Sequence, residues 1–171
     1  MKFGLNLGFA NKFVCSKPEN EMLTNYTFDC GLYGWGFASA YPATLTDNGD
    51  GTVHLKSDSN YGSLVPDNDE FPSGNYTIEI SVFNVVGKGK ISIRSSNMAW
   101  HNLTEYTADG VYTETYSGDI VEIHVGAAND PSFEADYEYI SLIKIKKGKK
   151  NEKSSRRSRT DSIVVDRYRS I

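Results

Sequence analysis

Residues 75–83, with the sequence Asn-Tyr-Thr-Ile-Glu-Ile-Ser-Val-Phe, alternate between apolar and polar side chains. The apolar positions that share one face are Tyr76, Ile78, Ile80 and Val82. A period of two places neighbouring side chains on opposite faces of a β-strand, whereas a helix requires a period near 3.6. The segment is therefore predicted to be a strand with one buried face.

Similar alternation recurs along the chain. It covers residues 90–95, 121–125 and 137–145, and shorter β-prone segments occupy 22–28, 41–46, 52–57, 61–65, 99–106 and 111–117. Strands spaced by about 8–12 residues are typical of an all-β sandwich. No amphipathic helix is apparent. The predicted fold class is an antiparallel all-β sandwich, and residues 137–145 are expected at its centre because both of their faces carry apolar side chains.

Glycine-rich turns predict how two pairs of strands connect. Gly87-Lys88-Gly89 separates 75–83 from 90–95 and is the signature of a hairpin. Residues 47–52, Asp-Asn-Gly-Asp-Gly-Thr, predict a turn between 41–46 and 52–57. An EF-hand calcium loop is the alternative, but it needs acidic or amide side chains where this segment has glycine.

Charge divides the chain into an acidic body and a basic end. Residues 1–143 hold seven Lys and Arg against 19 Asp and Glu, a formal charge of −12. Residues 144–171 hold 11 against three, a formal charge of +8. We therefore predict an N-terminal arm at 1–20, a folded domain at 21–146 and a basic C-terminal tail at 147–171.

The first residues and the two cysteines leave alternatives open. MKFGLNLGFANKFVCSKP is interpreted as an arm instead of a signal peptide, because polar residues interrupt its apolar stretch. Cys15 and Cys30 would pair in an oxidising compartment, but two free thiols are the favoured interpretation. The sequence contains no run of 18 apolar residues, so no membrane-spanning helix is predicted.

The basic tail is predicted to dock onto a partner. Its sequence cannot bury enough apolar surface to fold alone, and residues 162–168 then add a β-prone segment suited to a neighbour's sheet edge. The residues expected to dock are Arg156, Arg157, Arg159, Val164 and Tyr168. Nucleic acid is the alternative partner, but the acidic body would repel it. An acidic protein surface, including another copy of this chain, is the favoured partner.

A sugar-binding site needs flat aromatic faces beside hydrogen-bonding groups. The candidates are Tyr61, Arg94, Trp100, His101, Asn102 and Tyr106. Core packing is the competing interpretation for each of the three large aromatic residues. Catalysis is not predicted: His54, His101 and His124 are isolated from nucleophile motifs, and no acidic pair stands out. His54 and His124 are expected to be exposed on strands.

The order of motifs resembles that of the galactose-binding-like jelly rolls, particularly carbohydrate-binding modules of families four and nine. The resemblance rests on Asn25, Phe28-Asp29, Gly31 and Gly34-Trp35, followed by residues 73–80 and 135–145. It implies a jelly-roll β-sandwich without catalysis and an aromatic-lined cleft that binds glycans. It also implies a structural calcium ion, with Asp29 and Glu138 at the matching acidic positions. Trp35 is expected in the core.

The opening MKFGLNLGF is similar to that of small bacteriophage virion proteins. The leading hypothesis is therefore a non-enzymatic structural or attachment component of a virion, associated with its capsid or tail. Its terminal arms would bind other virion proteins or copies of the same chain, and its body would bind glycans. A secreted, extracellular carbohydrate-binding module is the alternative, and a small hydrolase is the least favoured hypothesis.

Overall fold

The computed structural model describes Cys15, residues 17–67 and residues 71–146. Within these residues the regular secondary structure consists of ten β-strands. Their bounds are β1 Trp35–Phe37, β2 Ala43–Asp47, β3 Val53–Ser57, β4 Ser63–Pro66, β5 Phe71–Val86, β6 Gly89–Arg94, β7 Trp100–Tyr106, β8 Gly110–Ile120, β9 Glu122–Ala127 and β10 Glu134–Lys144. The described residues include no helix with the length and apolar character needed to cross a bilayer.

The strands form two five-stranded antiparallel sheets. Sheet I has the order β1-β4-β9-β6-β7, and sheet II has the order β2-β3-β10-β5-β8. The apolar faces of the two sheets meet in one core, where Ile80 of sheet II and Ile123 of sheet I are both completely buried. The predicted all-β jelly-roll sandwich is confirmed.

Alternation correctly identified which side chains of β5 are buried. Ile78 and Ile80 have no exposed surface, while the intervening Glu79 is partly exposed. The prediction that the last strand is central is also confirmed, because β10 pairs with β3 on one side and β5 on the other. Trp35 is 5% exposed and donates its indole N–H to the Asn25 carbonyl at 3.0 Å, so its predicted place in the core is confirmed.

The hairpin predicted at 87–89 is wrong. β5 pairs with β8 and β10 in sheet II, whereas β6 pairs with β7 and β9 in sheet I, so the chain crosses from one sheet to the other. The crossing turn has Gly87 at a φ of +77°, and the Lys88 amide donates to Asp130 at 2.8 Å. Both strands bury one face in the same core, so their alternation does not reveal that they belong to different sheets.

The strand predicted at 22–28 is also wrong, because this segment is a folded loop with one bridge between Glu21 and Ile143. Buried polar side chains replace the missing ladder. Glu21 accepts the amide protons of Leu23 and Leu142 at 2.9 Å. Asn25 donates to the carbonyls of residues 31 and 33 and accepts from the amide of residue 30. A loop can be buried without forming a strand when its backbone N–H and C=O groups have hydrogen-bond partners, as they have here.

The cysteines are paired: Cys15 and Cys30 form a disulfide, which corrects the expectation of free thiols. Gly31, directly after this bridge, has a φ of +60°, and Gly34 has a φ of +80°. These values lie in the left-handed region that glycine enters without a Cβ penalty, as the tight turns here require. The tail residues Arg156, Arg157, Arg159, Val164 and Tyr168 lie outside the described residues, as does most of the predicted N-terminal arm.

Candidate functional site

The outer face of sheet I carries small and polar side chains in cross-strand rows. Gly126 of β9 lies opposite Ser63 on one side and Lys90 on the other. In the next row Ser92 of β6 lies between His124 and Asn102. These residues are spaced by two along their strands, so they share one face. The small side chains of Ser63 and Ser92 and the absence of one at Gly126 leave a shallow floor at the middle of the sheet.

Gly126 is required for this floor. A Cβ at this position would lie 2.3 Å from the Gly62 carbonyl oxygen and 2.6 Å from the Ser63 Cα. The Ala127 amide donates to the same Gly62 carbonyl at 2.9 Å. The turn that follows β3 therefore packs directly on β9, and this close approach brings Tyr61 to the edge of the floor.

Aromatic side chains form the sides of the floor. Tyr41, Tyr61 and Trp100 are 36%, 39% and 44% exposed, which is unusual for rings of this size near a sheet. The rings of Tyr41 and Tyr61 meet edge to face at 5.7 Å. On the opposite side, the Trp100 ring lies 4.9 Å from that of His124, again edge to face. The two walls are thus built from a loop, a turn and the edge strand β7.

Two hollows lie side by side between these walls, and we call them together the groove. The first has a volume of about 330 Å³ and is lined by Tyr41, Tyr61, Ser63, Lys90, Ser92, Trp100, Asn102, His124, Gly126 and Ala127. The second has a volume of about 600 Å³ and is lined mainly by residues 38–41, Val65, Pro66, Arg94, Trp100, residues 121–122 and His124. Tyr41, Trp100 and His124 line both hollows, so the two are adjacent.

His124 is the buried polar group of the groove. It is 6% exposed, and its Nδ1 lies 2.9 Å from the Ser63 hydroxyl. Its Nε2 lies 3.3 Å from a Glu122 carboxylate oxygen, but in a geometry that leaves it without a hydrogen-bond partner among the described residues. Burial lowers the pKa of His124 below its ordinary value, and the nearby Glu122 carboxylate only partly opposes this. The imidazole is therefore neutral near pH 7, and the expectation that His124 is exposed is wrong.

Arg94 supplies a second polar group whose position is fixed. Its guanidinium pairs with Glu122 across β6 and β9 and lies 5.6 Å from the Trp100 ring centre. Its Nε is buried without a hydrogen-bond partner among the described residues. A buried N–H without a partner costs about 1–3 kcal/mol. Two such groups, Arg94 Nε and His124 Nε2, therefore belong to side chains that line the same groove.

The structure brings together four of the six residues predicted to bind sugar: Tyr61, Arg94, Trp100 and Asn102. His101 lies one residue out of phase with Trp100, and its ring instead lies 5.5 Å from Tyr116 of β8. Tyr106 is 2% exposed, and its hydroxyl lies 2.6 Å from the Tyr137 hydroxyl inside the core. Tyr106 is therefore a core residue, contrary to its selection as a sugar-contacting side chain.

The lining residues of the first hollow that escaped the sequence-based prediction include the three with large or charged side chains, Tyr41, Lys90 and His124. For Lys90 a signal was present, because its spacing of four from Arg94 on one strand places both on the same face. No local signal marks Tyr41, which lies between strands and reaches the groove only through the packing of the sandwich.

The residues predicted to bind calcium have other partners. Thr27 donates to Asp29 at 2.7 Å, and Ser81 donates to Glu138 at 2.9 Å. Across the described ranges, no group of three or more His, Cys, Asp or Glu side chains is placed to hold a metal ion. Calcium binding at Asp29 and Glu138 stays a prediction.

Comparison with known proteins gives similarity at the level of fold. No protein-family model and no curated protein matches the chain. A mutant of CBM29-2, a carbohydrate-binding module of family 29, has 14% sequence identity to this chain. The match covers 65% of this chain and 81% of the module, with a TM-score of 0.48. Another family 29 module mutant has 16% identity over 72% and 88%, with a TM-score of 0.46.

A third solved structure, named PfGH50B, has 11% identity over 66% of this chain and 22% of its own, with a TM-score of 0.47. These similarities concern the β-sandwich, and nothing about the ligand of this chain follows from them. The two modules belong by name to family 29, whereas the sequence resembles families four and nine. That finer assignment stays a prediction.

Proposed function

We propose that this protein is a carbohydrate-binding module whose glycan lies in the groove on the outer face of sheet I. The observation that supports this most directly is the combination of exposed aromatic walls with a buried ring nitrogen, His124 Nε2, that has no hydrogen-bond partner among the described residues. Tyr61 and Trp100 present apolar rings to solvent, while His124 Nε2 lacks a hydrogen-bond partner among the described residues. A sugar matches both features, because it has apolar C–H faces and hydroxyl groups.

The aromatic rings would supply most of the affinity. A sugar ring covers an aromatic face without having to satisfy any polar atom on it, and the exposed parts of Tyr61 and Trp100 are available for such contact. The walls are held by contacts within the protein, including the edge-to-face pairs of Tyr41 with Tyr61 and Trp100 with His124. Rings held in advance lose little side-chain entropy when a ligand binds.

The floor would supply orientation. His124 Nε2 has almost no exposed surface, so a ligand hydroxyl group would reach it only when neighbouring side chains move apart. Because a hydroxyl group both donates and accepts, it would then pair with Nε2 whichever tautomer the Ser63 contact selects. Asn102 adds an amide on the same first hollow. Satisfying a polar group that is otherwise buried without a partner gains the hydrogen bond and removes the penalty of leaving it unmade.

Glycan binding is tested by replacing Trp100 with alanine. We expect Trp100→Ala to weaken binding by on the order of 30-fold, as for a central aromatic residue at an interface worth about 2 kcal/mol. Tyr33→Ala is the matched control, because Tyr33 is 67% exposed and does not line the groove. A glycan array would identify the ligand and calorimetry would measure the affinity. Equal loss in both variants, or none in either, would contradict the proposal.

The disulfide favours an oxidising, extracellular setting for such a module. Cys15 and Cys30 are bonded, and disulfides persist mainly outside the cytosol. Attachment to a bacteriophage virion stays a prediction, because the tail and opening segment that suggested it lie outside the described residues. The absence of enzymatic activity is likewise a prediction, which assays of the purified protein on any glycan it binds would test.

A further inference from the structure

The first hollow is positively charged in a protein whose body is acidic. Residues 1–143 carry a formal charge of −12. Yet among the described residues the first hollow is lined by one cationic side chain, Lys90, and by no carboxylate. The second hollow has one carboxylate, Glu122, and Arg94 neutralises it in an ion pair. The charge of the groove is therefore opposite in sign to that of the surface around it.

Lys90 has no acidic partner of its own. Its amino group lies 4.9 Å from the centre of the Tyr61 ring, and no ion pair joins it to a described carboxylate. The cross-strand neighbour of Lys90 is Glu105, but the Glu105 carboxylate lies 3.2 Å from the amino group of Lys88. The cross-strand carboxylate is thus paired with another cation, and it acts on Lys90 only as a neighbouring charge that raises the pKa of Lys90.

Lys56 and Lys88 differ from Lys90 in this respect. Lys56 pairs with Glu134 at 2.6 Å, and Lys88 pairs with Glu105 at 3.2 Å. Lys90 is also partly buried, whereas Lys56 is exposed. A half-buried ammonium beside an aromatic ring, without a counter-ion, is positioned to receive an anionic group from a ligand.

Building on the proposed function, we propose that the glycan of the first hollow is acidic, with a carboxylate or sulfate group that pairs with Lys90. The sugar ring would cover Tyr61 or Trp100, and its anionic substituent would extend to the ammonium group near Tyr61. Burial lowers the pKa of Lys90, opposed by the neighbouring Glu105 and reinforced by Lys88, and an anionic ligand would favour the charged form. The acidic body would repel polyanions and the basic residues of 144–171 would attract them, so binding at the groove is identified by its dependence on Lys90.

The test compares acidic glycans with neutral counterparts of the same backbone. Polygalacturonate beside its methyl ester tests a carboxylate, and dextran sulfate beside dextran tests a sulfate ester, within an array that holds further pairs of this kind. The protein is assayed as the full chain at 0.15 M salt, where exposed charges more than about 8 Å apart are screened. We expect hits among acidic members and at least tenfold weaker binding of their neutral counterparts.

Two substitutions separate a specific contact from general charge. Lys90→Met keeps the apolar stem and removes the ammonium, and should weaken binding of the acidic glycan ten- to hundredfold. Lys144→Met removes the same charge from a partly buried lysine that also lies beside a tyrosine ring, that of Tyr76, but does not line the groove, and should leave binding within about twofold. Equal losses in both variants would overturn the inference, because they would indicate non-specific attraction.

The array also distinguishes this inference from the proposed function. Neutral glycans that bind as well as acidic ones and depend on Trp100 would overturn the acidic ligand while supporting a carbohydrate-binding groove. Binding of acidic glycans that survives Trp100→Ala but not Lys90→Met would support an anion site and contradict the stacking groove. An array without hits would overturn both.

Discussion

The hydroxyl groups of Tyr106 and Tyr137 form a buried pair whose removal has a calculable effect. Their oxygens are 2.6 Å apart, and the residues are 2% and 0% exposed. Burial raises the pKa of both phenols, so both are protonated at neutral pH and the bond joins two neutral groups. The Tyr106 ring also packs at 5.1 Å from Tyr112 and 6.0 Å from Phe133. Tyr106→Phe keeps these ring contacts and removes only the hydroxyl group.

The expected magnitude follows from the partner left behind. Tyr106→Phe leaves the Tyr137 hydroxyl buried without its partner, which costs about 1–3 kcal/mol of the free energy of unfolding. For a chain of this size that lowers Tm by roughly 2–12 °C. Tyr137→Phe should cost a similar amount for the same reason. The double variant should be much less destabilised than the sum, because removing both hydroxyls leaves no buried group unsatisfied.

Urea denaturation of the parent, the two single variants and the double variant measures this coupling, with glycan binding measured alongside. Binding by Tyr106→Phe should match the parent, because the hydroxyl faces Tyr137 inside the core and not the groove. Additive losses in the double variant would contradict the buried pair. Weaker glycan binding by a stably folded Tyr106→Phe variant would indicate that the Tyr106 hydroxyl contributes to glycan binding.

Two further predictions concern the loop and the groove floor. Replacing both Cys15 and Cys30 with serine should lower the free energy of unfolding by about 2–4 kcal/mol, because the open chain gains entropy when unfolded; denaturation with and without reductant should then be identical for this variant but not for the parent. The pKa of His124 is lowered by burial, so the unfolded chain binds a proton more readily. Stability should therefore fall as the pH drops from about 6.5 through the lower folded value. His124→Gln should flatten this decline in a pH series of denaturation curves, whereas the control His101→Gln should retain it.

Local patterns in the sequence carry much of the fold. Alternation in β5 predicted its buried residues, and apolar side chains on both faces predicted the central place of β10. Such patterns report burial, and burial is the same whichever sheet a strand joins. For that reason the turn at Gly87, which joins β5 of one sheet to β6 of the other, has the sequence pattern of a hairpin within one sheet. The sequence at 22–28 predicts a strand from its apolar residues, but the segment is a loop whose backbone groups are hydrogen-bonded to the side chains of Glu21 and Asn25.

The sequence also predicts some residues of the candidate site correctly and others wrongly. Trp100 and Asn102 are two apart on one strand, so their common face follows from the strand period alone. Tyr106 belongs to the same strand, but the irregular register of β7 against β6 between Ile91 and Ser92 shifts its side chain onto the buried face. Irregularities of this kind change the direction of side chains downstream, and period-two counting does not anticipate them.

The amino-acid sequence by itself determined an all-β body with buried alternating faces, because strand periodicity and apolar burial are local properties of the chain. Only the tertiary structure decided that Tyr41, Tyr61, Trp100, Lys90 and His124 share one groove. They come from a loop, a turn and three different strands, and their meeting depends on the strand order of sheet I and the close packing at Gly126. Distances between segments remote in sequence are set by this packing, and no local pattern encodes them.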